Sequence, residues 1–334
     1  MKQKILITGA GGFIGRCLVR HFTEHGFICR AMIKNRNKIP LEKAALPGAE
    51  WVYGDVTLPE TLGPVTKDIK IVFHLAAKGH VATAAERDRL HFDEVNVGGT
   101  RNLARACLQS EVRRFFHFSS TAAVGLIPNR LVDETMPPKP VTPYQRSKHE
   151  SELVIREYIN KYDFPGVIFR PCMVYGPGSL GEFFKFTKLV KKGLLPKIGR
   201  RTKFTPIVHV QDVIQACLKA MDRAPAGRCY FICGKQSFPF DDIIEMIRNN
   251  IGIQRPALVI PEKLALAAAG FLEIWGKLGR KPPLATRQNI RSTIADRHFS
   301  IERAQKDFGY EPKKDLAQGI KEVIDWYRKN GYIR

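Results

Sequence analysis

A chain of 334 residues, of which 44% are hydrophobic and 26% charged, is long enough to bury a sizeable core. It contains no repeat and no low-complexity tract, which excludes solenoids and largely disordered proteins and favours a globular protein with one large and one smaller domain. The net charge of +22 admits nucleic acid, an anionic membrane or a phosphorylated ligand as a partner, besides an ordinary basic surface.

The first half of the chain alternates short β-forming runs with helical patterns. The sequence predicts strands at Lys4–Thr8, Phe27–Ile33, Glu50–Tyr53, Ile69–Leu75, Arg114–Phe118 and Gly166–Phe169. It predicts helices near Phe13–His25, Pro59–Val65, Asp93–Ser110 and Pro143–Tyr162. Strands that alternate with helices form a parallel sheet with helices on both faces. We therefore expect an α/β protein with a doubly wound parallel sheet.

After about residue 177 the pattern loosens into helical segments that are separated by loops containing Pro and Gly. These segments are Glu182–Lys192, Val210–Arg223, Asp241–Asn250 and Pro261–Lys277. We expect residues 1–177 to form a dinucleotide-binding domain and residues 178–334 to form mainly a smaller, substrate-binding domain over the carboxyl edge of the sheet. A strand near 228–233 is expected to return to the main sheet.

A glycine-rich segment lies directly between the first strand and the first helix. Gly9 permits a tight turn, Gly12 lets a pyrophosphate approach the backbone, and Gly15 lets helix and strand pack closely. The N–H groups where the helix starts, at Phe13 and Ile14, then hold the phosphates. This placement predicts a Rossmann-type site for NAD or NADP.

The residues after the second strand bear on the choice between these two cofactors. No acid stands between Glu24 and Glu42, where an NAD site usually has a carboxylate for the ribose hydroxyls. Lys34 and Arg36 would instead attract a 2′-phosphate. The sequence therefore favours NADP over NAD, although both cations would also suit an ordinary solvated loop.

Tyr144 and Lys148 stand four residues apart, on one face of a predicted helix. Thr142 suits the N-cap of this helix and Pro143 its first turn. A free phenol has a pKa near 10, and we expect a nearby ammonium and an oxidised nicotinamide ring to lower the pKa of Tyr144. The pair is thus a candidate for general acid–base catalysis.

Three hydroxyls, those of Ser119, Ser120 and Thr121, follow the buried strand Arg114–Phe118. They lie at the carboxyl edge of the sheet, where one of them would hydrogen-bond and polarise a substrate carbonyl. The other two are expected to cap backbone groups.

These motifs together resemble the extended short-chain dehydrogenases/reductases of the epimerase/dehydratase superfamily, over nearly the whole chain. The resemblance implies that Asp55 and Val56 contact the adenine, that Val174 meets the carboxamide, and that Lys148 also holds the nicotinamide ribose. It makes Tyr144 the acid/base. The cofactor groove would further include Leu75, Ala76, Ala77, Asn96, Ser119 and Pro171.

The resemblance also favours Thr121 over Ser120 as the catalytic hydroxyl. The chain departs here from many sugar-modifying members of the family, in which the segment ends V-Y-G. In this sequence Val124 leads directly to Gly125.

The sequence leaves two substrate classes open, and the first is a steroid- or lipid-like ketone or secondary alcohol. Ile28–Lys34 and His298–Pro312 resemble the 3β-hydroxysteroid dehydrogenase and dihydroflavonol reductase branch. Pro261–Lys277 is too short to span a bilayer. It suits a helix on a membrane surface, with Lys277, Arg280 and Lys281 at the headgroups, and equally a helix that packs on the substrate domain.

The second class is a nucleotide sugar, which a 4-epimerase would oxidise and reduce again. The segment around His74–His91 resembles some sugar epimerases, and Arg287 or Arg291 would add a phosphate clamp. Two observations favour the oxidoreductase. Thr205 stands where such relatives carry an arginine, and the acid after the second strand is missing. The cations available for the sugar diphosphate are Lys185, Lys188, Lys191, Lys192, Lys197, Arg200, Arg201 and Lys203.

Other features limit partners and location. The seven cysteines form no metal-binding or disulfide pattern, so we expect a reduced protein without a metal. The chain opens on a strand pattern without a leader, so we expect it in the cytoplasm, in contact with a membrane at most peripherally. No nucleic-acid motif accompanies the basic charge. The helices near 93–110 and 143–162 pair relatives into dimers, which predicts a homodimer.

Overall fold

A computed structural model describes residues 3–79, 88–199, 202–253, 258–278, 286–287, 290–291 and 295–333. Its centre is a seven-stranded parallel sheet with the order β12-β7-β5-β4-β1-β2-β3. The strands of this sheet are β1 (Lys4–Thr8), β2 (Ile28–Ile33), β3 (Glu50–Tyr53), β4 (Ile71–His74), β5 (Arg114–Phe118), β7 (Gly166–Pro171) and β12 (Cys229–Ile232). The predicted doubly wound parallel sheet is confirmed.

Helices cover both faces of the sheet and continue into the second half of the chain. They are α1 (Phe13–Glu24), α2 (Ile39–Ala45), α3 (Leu62–Thr66), α4 (Arg89–Phe92), α5 (Gly99–Gln109), α6 (Pro143–Tyr162), α7 (Glu182–Lys191), α8 (Val210–Arg223), α9 (Phe240–Ile251), α10 (Glu262–Leu278), α11 (Glu302–Phe308) and α12 (Leu316–Lys329). A π-helix, Asp93–Gly98, leads into α5, so the helix predicted from residue 93 begins with a wider turn.

Short strand pairs tie the second half of the chain to the sheet and to itself. The pairs join β6 (Leu131–Val132) with β15 (His298–Phe299), β8 (Met173–Tyr175) with β11 (Ile207–His209), β9 (Lys197–Ile198) with β14 (Val259–Ile260), and β10 (Phe204–Thr205) with β13 (Phe238–Pro239). The strand expected near 228–233 runs parallel to β7 at the edge of the main sheet.

Three apolar clusters stabilise the molecule. Two lie on opposite faces of the main sheet, because successive residues of a strand such as Ile5 and Leu6 point to opposite sides. The third packs α7, α9 and α12 around Tyr175. The division at residue 177 stays a prediction, since α8 and β12 belong to the cluster of the main sheet. Within the residues described, no helix is long and apolar enough to cross a membrane.

Candidate active site

The sheet places its ligand crevice at the carboxyl ends of β1 and β4. The chain leaves β1 toward β2 on one side and toward β4 on the other, and α/β proteins bind ligands at such a reversal of strand order. Gly9, Leu75 and Ser119 directly follow β1, β4 and β5 and therefore lie along this one edge.

The glycine turn after β1 has the geometry that a dinucleotide requires. Gly9 has a φ of 65°, and a Cβ there would lie 2.8 Å from the amide nitrogen of Ala76. A Cβ on Gly15 would collide with the carbonyl of Gly9. Helix α1 begins at Phe13 without a side-chain cap and without an acid in its first turn, so its first N–H groups suit an anionic pyrophosphate.

The turn after β4 is bound to β1 by hydrogen bonds. The amide of Ala76 donates to Oγ1 of Thr8 over 3.1 Å, and this hydroxyl lies 2.8 Å from Nδ1 of His74. Leu75, Ala76 and Ala77 therefore border the glycine turn, as a wall of the cofactor groove would.

The two cations after β2 both have partners in the described structure. Nζ of Lys34 lies 2.9 Å from the carboxylate of Asp55, and the guanidinium of Arg36 stacks 4.0 Å above the ring of Tyr53. Burial would raise the pKa of Asp55, but hydrogen bonds from Lys34 and Thr57 outweigh it and lower that pKa. Asp55 is thus held as a carboxylate beside Lys34.

Two residues of the predicted cofactor set have structural partners. Val56 is buried against Gly99, and its carbonyl accepts a hydrogen bond of 2.9 Å from Asn102. Both N–H donors of Asn96 are used, one on the carbonyl of Lys78 and one on Ser147. Asn96 therefore fixes the loop after β4 against α6, and a direct contact of Val56 or Asn96 with the cofactor stays a prediction.

Helix α6 starts where its sequence predicts and presents Tyr144 and Lys148 together. The amide of Gln145 donates to Oγ1 of Thr142, and the amide of Thr142 donates to Oε1 of Gln145. This capping box, with Pro143 in the first turn, sets the register of the helix. Tyr144 and Lys148 then lie one turn apart on the side of α6 that faces the sheet.

Lys148 is buried, and its Nζ donates a 2.9 Å hydrogen bond to the carbonyl of Phe118 at the end of β5. Burial lowers the pKa of Lys148 to about 8, and the carboxylate of Glu152 opposes this shift. Because Lys148 is anchored to β5, it connects α6 to the strand that carries the three hydroxyls.

Tyr144 is half-buried beside the ring of Phe92, at 5.8 Å between ring centres. Burial raises the pKa of Tyr144 to about 12, while a hydrogen bond with Ser120 acts in the opposite direction. In the protein by itself, desolvation of the phenolate is the larger effect, and the lowering expected from the ammonium together with an oxidised nicotinamide ring stays a prediction.

The three hydroxyls after β5 have different surroundings. Ser119 donates to the carboxylate of Glu152 over 2.5 Å. Ser120 hydrogen-bonds with Tyr144 and accepts from the amide of Ala122 over 3.1 Å. Thr121 begins a short 3-10 helix. The structure thus brings Ser120 to Tyr144, whereas the sequence favoured Thr121, whose catalytic role stays a prediction.

A buried ion pair behind Lys148 was not predicted. The guanidinium of Arg170 in β7 donates two hydrogen bonds, of 2.9 Å and 2.6 Å, to the carboxylate of Glu152 in α6. Glu152 stands one turn after Lys148, and Arg170 stands in an otherwise apolar strand. A charge in such a strand signals a buried partner, but the sequence does not say which acid it is.

The remaining predicted positions follow β7. Pro171 is the buried last residue of β7, and Val174 lies in β8 opposite Val208 of β11. Thr205 is buried and accepts a hydrogen bond of 3.1 Å from Arg297, a residue that the sequence did not single out. Thr205, which stands where sugar-modifying relatives carry an arginine, is therefore bonded within the protein.

Five of the ten cations named for a sugar diphosphate contact other side chains. The pairs are Lys185–Glu182 at 2.8 Å, Lys197–Asp241 at 2.7 Å, Lys203–Glu262 at 2.6 Å, Arg287–Glu273 at 2.9 Å and Lys188 on the Phe184 ring at 4.6 Å. Arg200, Arg201, Arg280 and Lys281 lie outside the described residues. In the part of the chain that is described, no cluster of side chains suits a metal ion.

The glycine turn, the reversal of strand order and the Tyr–Lys pair define an NAD(P)-dependent enzyme. A model of the NAD dependent epimerase/dehydratase family matches residues 5–233, and the chain belongs to this family. The resemblance to extended short-chain dehydrogenases/reductases is thereby confirmed, as is an oxidoreductase that depends on NAD(P).

Similar proteins extend over nearly the whole chain. Sterol demethylase protein B of Methylococcus capsulatus is 29% identical and covers 98% of this chain and 99% of its own length. The 3beta-hydroxysteroid-dehydrogenase/decarboxylase isoform 1 of Arabidopsis thaliana is 26% identical over 96% of this chain and 78% of its own length. A UDP-glucuronic acid 4-epimerase from Bacillus cereus, solved with UDP-glucuronic acid and NAD, shares the fold with a TM-score of 0.79, at 22% identity over 98% of this chain and 100% of that one.

Proposed function

We propose that this enzyme transfers a hydride between NADP(H) and a ketone or secondary alcohol on a steroid- or lipid-like molecule. The observation that carries the proposal is the position of Tyr144 and Lys148 on one face of α6, at the sheet edge that also holds the glycine turn. When bound, the nicotinamide supplies or accepts the hydride.

The residues of the chain handle the proton. In the reductive direction Tyr144 gives its phenolic proton to the carbonyl oxygen, while a hydroxyl after β5 donates a hydrogen bond to the same oxygen. A phenol with a pKa of about 12 is protonated at neutral pH and is therefore ready to act as the acid. The ammonium of Lys148 stabilises the phenolate that remains and holds the ribose.

The preference for NADP rests on Lys34 and Arg36. A guanidinium stacked on a ring, as Arg36 is on Tyr53, presents its N–H groups at the edge of the plane, where a 2′-phosphate is bound best. Lys34 partly neutralises Asp55, which would otherwise repel this phosphate. Titration of the protein with NADPH and NADH tests the preference, and equal or tighter binding of NADH contradicts it.

The steroid- or lipid-like substrate is supported by the names of the two relatives, a sterol demethylase protein and a 3beta-hydroxysteroid-dehydrogenase/decarboxylase. Buried Thr205 and the ion pairs of Lys197 and Lys203 speak against a nucleotide sugar, because a diphosphate needs cations that converge on it. A nucleotide-sugar 4-epimerase is the alternative that the experiment has to separate.

The experiment identifies the nucleotide that co-purifies with the protein and then offers steroid ketones and UDP-sugars to the same sample. We expect an exchangeable nucleotide and consumption of NADPH with a 3-keto steroid. Tightly held NAD together with interconversion of a UDP-sugar would instead establish the epimerase.

Assembly and location belong to the same proposal. We expect a cytoplasmic homodimer that pairs through α5 and α6, and the exposed Leu153 and Tyr162 on α6 support such a contact. Peripheral contact with a membrane is expected because a steroid-like substrate partitions into bilayers. Sedimentation equilibrium of the purified protein tests the dimer.

A further inference from the structure

Helix α10 turns four of its large apolar side chains toward solvent. Leu264, Phe271, Ile274 and Trp275 are 61%, 60%, 59% and 67% exposed. They stand at positions i, i+7, i+10 and i+11, and they therefore form one stripe along the helix, named here the α10 face. The rings of Phe271 and Trp275 stack at 6.2 Å, so the end of the stripe is a preformed aromatic surface.

The two fully buried residues of α10 are small, and Leu266 and Leu272 are half-buried on the same part of its surface. Ala265 and Ala269 are buried, and Gly270 approaches the side chain of Arg287. A surface helix of a globular protein normally buries its large apolar residues and exposes polar ones. Since α10 exposes these four large apolar residues while it buries two alanines, the described part of the chain leaves the α10 face without cover, and exposed apolar surface of this kind marks an interaction site.

Further exposed apolar residues lie in the strand pair that precedes the helix. Strands β9 and β14 pair just before α10, with a hydrogen bond of 2.8 Å from the amide of Lys197 to the carbonyl of Leu258. The exposed residues here are Leu194, before β9, Leu258, directly before β14, and Val259, within β14. The strand pair thus brings the loop after α7 to the start of α10.

Exposed cations lie near the start of α10. Lys263 is exposed beside Leu264, and Lys191 and Lys192 are exposed just before Leu194. The carboxylates of α10 are engaged, Glu262 with Lys203 and Glu273 with Arg287. Basic side chains beside an apolar stripe complement a surface whose outer layer is anionic and whose interior is apolar.

We propose that the α10 face docks on an anionic lipid bilayer, with its apolar stripe at the boundary of headgroups and acyl chains and the lysines at the lipid phosphates. Helix α10 has 17 residues and lies in the plane of the membrane in this arrangement. Delivery of a steroid-like substrate from the bilayer to the crevice rests on the function proposed above, whereas the docking itself does not.

The proposal is tested with vesicles of phosphatidylcholine alone and of phosphatidylcholine mixed with phosphatidylglycerol, by co-sedimentation of the full chain. We expect binding to the mixed vesicles, weaker binding to phosphatidylcholine, and loss of binding at high salt. Trp275 fluorescence should shift to the blue and be quenched by brominated acyl chains. Because Trp51 and Trp326 contribute signal, a Trp275→Phe variant, which keeps the apolar stripe, serves as the blank.

The double variant Phe271→Ser/Trp275→Ser should weaken the partitioning into mixed vesicles by about tenfold or more. Leu41→Ser, which removes an exposed apolar side chain from another part of the molecule, is the matched control and should leave partitioning unchanged. NADPH affinity and melting temperature, measured for both variants, show that the fold is intact.

Equal partitioning of the double variant and the wild type overturns the proposal, as does equal binding to both kinds of vesicle. A wild-type dimer that the double variant dissociates, without vesicle binding, identifies a second copy as the partner and also overturns it. Wild-type protein that binds vesicles but reduces no ketone refutes the proposed function and leaves the docking intact.

Discussion

At the scale of single residues, Tyr144 and Lys148 have separate tasks that a substitution can distinguish. Tyr144→Phe removes the proton donor but leaves Lys148 bonded to the carbonyl of Phe118. We expect kcat to fall by about 10²–10⁴-fold, because this is the usual contribution of general acid catalysis, with little change in the Kd of NADPH. Steady-state kinetics and a cofactor titration measure both quantities. A variant that turns over at the wild-type rate contradicts the acid role.

The catalytic roles of Ser120 and Thr121 can be distinguished in the same way, by comparing the kinetics of two variants. Ser120 is already bonded to Tyr144 and to the amide of Ala122, so Ser120→Ala should disturb the orientation of the phenol. Thr121→Ala should weaken the bond to the substrate oxygen and lower kcat by about 10²-fold. Kinetics of the two variants at pH 7 decide the matter. If only Ser120→Ala is impaired, the catalytic hydroxyl is one residue earlier than the sequence predicts.

At the scale of elements, the Glu152–Arg170 pair joins α6 to β7 directly behind Lys148. The carboxylate of Glu152 raises the pKa of Lys148, which burial has lowered to about 8. Glu152→Gln removes this charge, so the ammonium should be lost at a lower pH than in the wild type. We therefore expect the alkaline limb of the kcat/KM profile to move to lower pH, which rate measurements from pH 6 to 10 would detect.

The matched control for this variant is Glu157→Gln. Glu157 lies on the same helix but is only half-buried, and it is paired with Arg101 over 2.9 Å and with Lys161 over 3.0 Å. Its removal should leave the profile unchanged. Glu152→Gln should also cost about 3–5 kcal/mol of stability, because it leaves the guanidinium of Arg170 buried beside a neutral amide. A profile of Glu152→Gln that superimposes on the wild type would show that the pair only supports the fold.

The helices and strands also show which features of the fold the sequence patterns are sufficient to predict. β1, β3, β5 and α6 have the predicted bounds, because their apolar periodicity and the cap at Thr142 act over a few residues. The partner of Tyr144 and the Glu152–Arg170 pair were missed for a common reason. Each depends on how the chain turns after β5 and on how α6 lies across the sheet, and neither is a property of local sequence.

At the scale of the whole molecule, the same dependence on long-range packing explains why the sequence does not predict which side of α10 faces solvent. Its sequence predicts a helix, but small and large apolar residues occupy both sides, so periodicity alone cannot tell which side packs inward. The structure buries Ala265 and Ala269 and exposes Phe271 and Trp275. Net charge is equally uninformative about which surface is basic until the folded chain places Lys263 and Lys192 near the start of α10.

Buried histidines make the stability of the whole molecule sensitive to acid. Burial lowers the pKa of His74 to about 3 and of His209 to about 4, and it also lowers the pKa of His117 well below 6.5. The unfolded chain takes up these protons near pH 6.5, whereas the folded chain does not. The stability that these neutral imidazoles contribute is therefore complete above pH 6.5. It is lost as the pH falls toward the pKa values of the imidazoles in the folded protein.

Below pH 6.5, each of these histidines should lower the free energy of unfolding by about 1.36 kcal/mol per pH unit. The three together therefore lower it by about 6 kcal/mol by pH 5. This is a large part of the ~5–15 kcal/mol that stabilises an ordinary domain. Urea unfolding at pH 7.5, 6 and 5 measures the loss. His74→Gln should reduce the slope by about one third, because one of three protons no longer drives unfolding, while exposed His91→Gln should leave it unchanged. Equal stability at pH 7.5 and 5 would mean that these imidazoles are protonated within the fold.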